Sequence, residues 1–315
     1  MVFTDPSGTV RIFANSTKTV LWIDLPKSPH SYSPGHCKVH DFKRHLNVDD
    51  PVQFECVNSS TAKDLKVCLH QNDLVSSYVR TYNAWEPSLT TDILKALKTF
   101  PKSIFLDIGA NIGAHSLTAA KLGWNVVAVE PNPETVKRLH KSVNLNNLQD
   151  QYLLVHNAVS DTRTKLTLFH EPKNFGASSI VWERSGEGPT VDTILFDDLL
   201  EVFPANDAVI KMDIEAAEPR ALNQSRAFFK QVKVHVIFME WDIIGKRVFK
   251  GQTPDYAERN RTLYMMEYLR LMDFRPALSF DTQNTTYLDD TPFTNWPGDV
   301  VWINQNALEF INSKK

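Results

Sequence analysis

Cysteine is scarce in this chain of 315 residues: Cys37, Cys56 and Cys68 are the only three. An odd number so spaced is no disulfide framework, although one bridge from Cys56 to Cys68 is available. Long apolar runs are missing too. No window reaches the roughly 18 consecutive apolar residues of a membrane span, and the opening MVFTDPSGTVRIFANSTKTV lacks the apolar core of a signal peptide. As written, the chain is expected to carry no membrane span and no export signal of its own, which suits the cytoplasm. Charge of one sign is also absent. The formal net charge is -3 with 23% charged residues and no long single-sign run, so nothing favours a polyanion and no nucleic-acid partner is expected. There is no internal repeat and no low-complexity tract.

What is present begins with 42% hydrophobic residues, enough apolar surface for a large core. Five N-x-[ST] acceptors occur, at Asn15, Asn58, Asn223, Asn260 and Asn284, where the composition predicts about three by chance. That excess points, against the missing signal, to a secretory-pathway lumen such as the Golgi. His36, Cys37, His40 and His45 lie close together but match no zinc-finger spacing, and are expected to be ordinary polar loop residues.

The texture changes near residue 84. Before it, Pro, Ser, His and Asn punctuate short apolar runs such as Val20–Leu25 and Leu65–Leu69. Residues 1–84 are therefore expected to form an N-terminal extension packed on the core, and residues 85–315 the core domain. A helix is expected from Pro87 to Phe100, then the strand Ile104–Ile108, a helix near Gly113–Leu122, the strand Val126–Val129 and a helix near Pro133–Asn144. Further strands are expected at Leu153–His156, Lys165–Phe169, Ala208–Met212, Val234–Met239, Arg275–Phe280 and Val300–Ile303, with helices near Ala217–Phe229 and Pro254–Leu271. This alternation is that of an α/β, doubly wound, mostly parallel Rossmann-like sheet, whose ligands bind beyond the carboxyl ends of the strands.

At the exit of the first strand, SIFLDIGANIGAHSL places Asp107, Gly109, Asn111 and Gly113. Glycines there let backbone approach a ligand closely. A dinucleotide fingerprint would have glycine where Asn111 stands, and Asp107 would repel a pyrophosphate but attract the ammonium of a methionyl group. A nicotinamide-dependent oxidoreductase is disfavoured accordingly. Glu130 closes the second strand 21 residues after Gly109, where a carboxylate can accept from both ribose hydroxyls.

FLDIGANIG, VVAVEPNP, VHNAVSD, NFGASSI, TVDTILFDDLL and KMDIEAAEPRAL, taken as a set with YNAWEP, resemble the FkbM methyltransferases across about residues 64–305. That resemblance implies a Rossmann-like class I fold and an S-adenosylmethionine-dependent O-methyltransferase acting on hydroxyls of sugars and sugar-bearing natural products; joined to the N-x-[ST] excess, it makes a terminal hexose of a glycan the candidate acceptor. It assigns Asp107, Gly109, Asn111 and Gly113 to the methionyl end of the cofactor and Glu130 to its ribose. Asn132 would line the ribose edge, Asn157 and Ala158 the adenine, Asp213 the sulfonium, and Glu86 would close the site. Asn132, Asn157 and Glu86 taken singly read equally well as turn or cap residues. The family usually has glycine where this chain has Ala216, which would narrow the space beside the acceptor.

Candidate catalytic carboxylates gather at two strand exits: Asp213, Glu215 and Glu218, then Glu240 and Asp242. One role for them is general base; another is holding a divalent cation, Mg²⁺ or Mn²⁺, that acidifies the acceptor hydroxyl. Glu218 reads best as a surface carboxylate at a helix start. Lys211 interrupts a buried strand on the same side as Asp213, either as a structural ion pair or as part of the site. Trp182, Trp241 and Trp296 are candidates for stacking on a sugar, Trp241 first because it adjoins Glu240 and Asp242. A catalytically silent cofactor-binding protein is the alternative, supported by Ala216 and by the lack of an obvious Asp-His base pair. The sequence sets no oligomeric state.

Overall fold

The computed structural model describes residues 2–4, 10–12, 35–42, 54–171, 174–181, 188–245, 256–281 and 285–307, with backbone alone for 2–4, 10–12 and 169–181. Asn15, His45, Trp182, Asn284 and the run Val20–Leu25 lie outside them. Residues 1–36 form one compact unit and residues 37–315 another. In the first, β1 (Val2–Thr4) and β2 (Val10–Ile12) pair antiparallel.

The second unit opens with the antiparallel hairpin β3 (Cys56–Ser59) and β4 (Leu65–Cys68), closed by the Cys56–Cys68 disulfide, while Cys37 is a free thiol. Helices α1 (Leu74–Tyr82) and α2 (Pro87–Thr99) follow. Asp73 caps α1 by accepting from Ser76 N at 2.7 Å, and Pro87 occupies the first turn of α2, where its missing N–H costs nothing. Then come β5 (Ile104–Ile108), α3 (Ser116–Lys121), β6 (Val126–Val129), α4 (Pro133–Leu145) and β7 (Tyr152–Val155). Helix α3 starts later than its apolar pattern suggests, because the glycine turn extends past Gly113.

Four strands, β8 (Ala158–Val159), β9 (Lys165–Glu171), β10 (Asn174–Val181) and β11 (Thr190–Ile194), form a side sheet. The chain returns through β12 (Asp207–Met212), α5 (Glu218–Leu222), α6 (Arg226–Gln231), β13 (Lys233–Glu240), the short α7 (Asp242–Ile244), α8 (Tyr256–Leu271), β14 (Phe274–Ala277) and β15 (Asp299–Asn304). The single helix expected over Ala217–Phe229 is two, separated at Asn223–Ser225.

The central sheet has seven strands in the order β14-β15-β13-β12-β5-β6-β7. Only β15 runs against the others. Alternate strand residues serve two apolar cores: Leu106, Ile108, Ile210 and Met212 pack on one face, and Phe105, Val209 and Phe238 on the other. Along the sheet the strand numbers fall to β5 and rise again on its other side, so the winding reverses between β5 and β12, the switch point where open α/β sheets bind ligands. Residues 54–84, expected within the N-terminal extension, are tied into this unit: Cys68 N donates to Ser142 Oγ and Lys66 N to Asn146 Oδ1, both at 2.9 Å.

No helix among the described residues is long and apolar enough to cross a membrane.

Candidate active site

A cavity of about 340 Å³ opens at this switch point. Its floor is the turn after β5. Gly109 and Ala110 donate to the Val129 carbonyl at 2.9 and 3.1 Å, which ties the turn to β6. Gly109 has φ +81°, and a Cβ there would lie 1.9 Å from the Asp213 carbonyl oxygen. Glycine is required here by the exit of β12, and Gly109 also lines the cavity. Gly113, also at φ +81°, lies away from the cavity wall, where a Cβ would strike Leu139 and Leu117. Asn111 has φ +50° and steadies itself by accepting from Ile112 N at 2.7 Å.

Glu130 anchors this half. Its carboxylate accepts from Asn111 N at 2.9 Å and Asn132 N at 2.8 Å, and burial pushes its pKa up to about 7 against those two hydrogen bonds. Asn132 is buried off the wall and caps α4 by accepting from Glu134 N at 2.9 Å. Asn157 and Ala158 do line the cavity. The Asn157 side chain is also committed to the fold, accepting from Lys38 N and donating to the Asp192 carbonyl. Asp107 is 1% exposed, lies behind the wall, and neither carboxylate oxygen has a hydrogen-bond partner. An unsatisfied buried carboxylate demands positive charge nearby. Lys211, its neighbour in register on β12, supplies some of it.

The other half is assembled from distant strand ends. Lys211 Nζ lies 3.1 Å from Asp213 Oδ2. Burial pulls the Lys211 pKa down, but Asp213, Asp107 and Glu86 together outweigh it and hold the ammonium charged. Burial opposes ionisation of Asp213 in turn, and the Lys211 ammonium, with Glu240 beside the pair, overcomes it, so Asp213 titrates below its ordinary range. For Glu240, burial and the neighbouring Asp213, Glu218 and Glu215 push the pKa up to about 10. At neutral pH the cavity therefore holds an ammonium and a carboxylate in contact, Lys211 and Asp213, with a carboxylic acid, Glu240, on the same wall. Glu215 also faces the cavity, on a backbone with φ +59°; Ala216 follows at φ +69°. Ala216 packs on the core and is not part of the cavity lining. Its left-handed backbone is the physical reason glycine suits that position.

Several sequence expectations change here. Glu218 is no surface carboxylate: it is fully buried, accepts from Ile214 N at 2.9 Å, and burial pushes its pKa up to about 8. Trp241 and Trp296 are core residues with ring centroids 4.8 Å apart, and Trp241 Nε1 donates to the Phe293 carbonyl, so neither presents a face to a sugar. Among the described residues the cavity carboxylates do not bring three ligand oxygens within 4.8 Å of one another.

The structure also supplies what the sequence did not reveal. His115 is 5% exposed and lines the cavity, with Nε2 3.3 Å from Glu86 Oε2 and Nδ1 2.9 Å from Thr90 Oγ1. His115 and Glu86 lie within ion-pair distance without a hydrogen bond at Nε2, and the signal was a histidine two residues beyond Gly113. Glu86 is held there by a left-handed backbone, φ +41°, at the N-cap of α2. Asp299 pairs with Glu240 across β15 and β13, and burial with nearby Glu86 pushes its pKa up to about 6.

Comparison with known proteins follows the same line. Residues 107–276, more than half of the chain, match the model of the methyltransferase FkbM domain. No curated protein matches the chain in sequence. Among solved structures it is similar to an O-methyltransferase from Bacillus cereus in complex with SAH (12% identity, 74% of this chain and 98% of that chain, TM-score 0.37). It is similar also to the Pyrococcus abyssi tRNA (uracil-54, C5)-methyltransferase (14%, 80% and 44%, TM-score 0.37). A third is precorrin-6y C5,15-methyltransferase from Geobacter metallireducens (12%, 75% and 92%, TM-score 0.33). With its family motifs seated around the switch-point cavity of a Rossmann-like sheet, the chain belongs to the FkbM methyltransferase family.

Proposed function

We propose that the protein is an S-adenosylmethionine-dependent O-methyltransferase whose acceptor is a sugar hydroxyl, on a terminal hexose of a glycan. The observation that carries this reading is the Lys211–Asp213 pair, with Glu240, on the same cavity as Glu130. The residues present suit the cofactor. Glu130 is fixed by two backbone N–H groups and keeps lone pairs for ribose hydroxyls, while Asp107 is a buried carboxylate still lacking a donor. Asp107, Gly109, Asn111 and Gly113 shape the methionyl end, directly or from behind the wall, and Asn157 and Ala158 border the base. When bound, S-adenosylmethionine supplies a methyl group on a sulfonium, open to in-line attack.

The protein's part is to align a hydroxyl and take its proton. Asp213 is ionised at neutral pH and is the general base. Lys211 keeps it ionised and, through its 3.1 Å contact with Oδ2, fixes the direction of its carboxylate, while the neutral Glu240 on the same wall adds no competing charge. Glu215 and the Glu86–His115 pair orient the acceptor from the rim. The carboxylates Glu86, Glu215, Asp242 and Asp299 around this space favour a neutral acceptor and oppose phosphate-bearing ones such as nucleic acids. The Cys56–Cys68 bridge and the exposed acceptors Asn58, Asn223 and Asn260 support an oxidising lumen such as the Golgi as its compartment.

The test is incubation with isotopically labelled methyl donor and a panel of neutral sugars, read by mass spectrometry. A protein that binds the cofactor yet methylates none of them sinks the sugar assignment, and one that methylates nothing at all is the silent binding protein.

A further inference from the structure

We propose that the exposed face of α1, with Trp85, is a second acceptor surface that holds the unreacted sugars of a neutral oligosaccharide while its terminal hexose occupies the cavity. This rests on the sugar reading above. Leu74, Tyr78 and Tyr82 are 54%, 46% and 62% exposed, unusual for side chains of their size. Their spacing of four residues puts them in one row along the helix. The row is made of touching rings. Tyr82 and Tyr78 have centroids 4.6 Å apart, and Tyr78 meets Trp85 edge to face at 5.5 Å and 88°. At the other end Leu74 lines the cavity, as do Val75 and Trp85. The surface is therefore continuous with the site where the reaction takes place.

The chemistry of the row selects its occupant. Ser76 and Val79 on the opposite side of α1 are buried, so the exposed rings are not needed to seat the helix. Arg80, the helix's one charged side chain, is engaged by the Glu55 carboxylate and the His70 carbonyl, which leaves the row without charge to recruit an ion. Tyrosine rings offer an apolar face and a hydroxyl edge at little entropic cost. A pyranose presents the same pair of surfaces, C–H groups on its face and hydroxyls on its rim. A second copy of the chain is a poor occupant: a nine-residue helix presents a face of about 14 by 10 Å, far below the ~800 Å² per partner of a stable interface. Both ends of α1 are pinned, by the Asp73 cap and by Asn83 at φ +58°, so the rings are presented on a fixed support.

The experiment compares a free hexose with a neutral trisaccharide ending in the same hexose, using the full chain and the double variant Tyr78→Ser/Tyr82→Ser. The wild type is expected to show about a tenfold lower KM for the trisaccharide, as two aromatic contacts would give. The variant is expected to lose that advantage with kcat and the free-hexose KM unchanged. Equal KM values for both sugars in the wild type, or a variant that keeps the advantage, overturn the surface but leave the sugar reading standing. If no sugar of either length is methylated, the acceptor assignment falls and takes the surface with it. A concentration-dependent dimer in sedimentation that the double variant abolishes also overturns it, making the row a self-association face.

Discussion

The two halves of the cavity are held by different forces. Around Glu130 the wall comes from one stretch of chain, and backbone N–H groups do the holding: Gly109 and Ala110 on Val129, Asn111 and Asn132 on Glu130. Around Asp213 the wall is drawn from four segments, bearing Glu86, Lys211 with Asp213, Glu240 with Asp242, and Asp299, and it is held by side-chain charge balanced on the Lys211 ammonium. The first arrangement is insensitive to protonation except at Glu130 itself. The second redistributes protons whenever one of its members changes. Damage to the first half should therefore appear as lost cofactor affinity, and damage to the second as lost rate and altered pH dependence.

Asp213→Asn should have the largest effect, a fall of ~10²–10⁴ in single-turnover methylation of the hexose with cofactor affinity nearly kept. An equal loss of affinity, measured by calorimetry, would break the division between the halves. Gly109→Ala tests the place where they meet. Its methyl group would fall 1.9 Å from the Asp213 carbonyl oxygen, on a backbone with φ +81°, and must displace that carbonyl. A stability loss of ~3 kcal/mol or more is expected, with rate and affinity falling together. An unchanged thermal midpoint would refute that close approach.

Glu130→Ala should weaken cofactor binding by ~10- to 100-fold, the worth of one charge-assisted hydrogen bond or more. In the wild type that affinity should rise as pH passes upward through about 7, where the Glu130 carboxylate ionises. A flat calorimetric profile would remove Glu130 from the ribose site. Glu240 gives the opposite sign in a stability experiment. Its folded pKa of about 10 stands above the ordinary value of 4.5. Between those values the unfolded chain sheds a proton that the folded one keeps, so the wild type loses stability as pH rises across that window. Glu240→Gln has no such proton, and in urea unfolding its stability relative to wild type should be higher at pH 8 than at pH 4.5. The smallest effect is expected for Ala216→Gly. Relief of the left-handed strain at φ +69° is worth ~1–2 kcal/mol, less the ~0.5–1 kcal/mol entropic cost of glycine, leaving a gain of ~0.5–1 kcal/mol in the same assay.

The unequal construction of the halves also explains what could be read from the sequence. The turn Asp107–Gly113 and Glu130 are local: strand, glycine turn, helix and strand follow one another, and periodicity with turn chemistry suffices to place them. Lys211 and Asp213 came from alternation along a single strand. Asp299 did not, because it reaches Glu240 only through antiparallel pairing of strands separated by a long helix, and no spacing encodes that. His115 was in view beside Gly113, but its partner Glu86 arrives from a helix start on the far side of a loop. The tryptophans misled for a related reason. Adjacency to a carboxylate in sequence placed Trp241 near the site, while its place at the turn from β13 into α7 puts its ring in the core. The glycines carry a second constraint: Gly109 and Gly113 also serve strand and helix packing, which stays invisible until Asp213, Leu117 and Leu139 are brought beside them.

The bare backbone meeting of Gly109 with the Asp213 carbonyl carries one more consequence, in the reciprocity of binding. No side chain lies between the loop that would embrace the donor and the strand end that would meet the acceptor. A shift of one is a shift of the other, without a cushion to absorb it. Whatever factor an occupied donor loop contributes to acceptor affinity, an occupied acceptor site must return to donor affinity. Spent donor and fresh donor, differing by one methyl and one charge, would then be told apart partly by how each seats this joint. Product departure would be governed by the same few atoms that align the reaction.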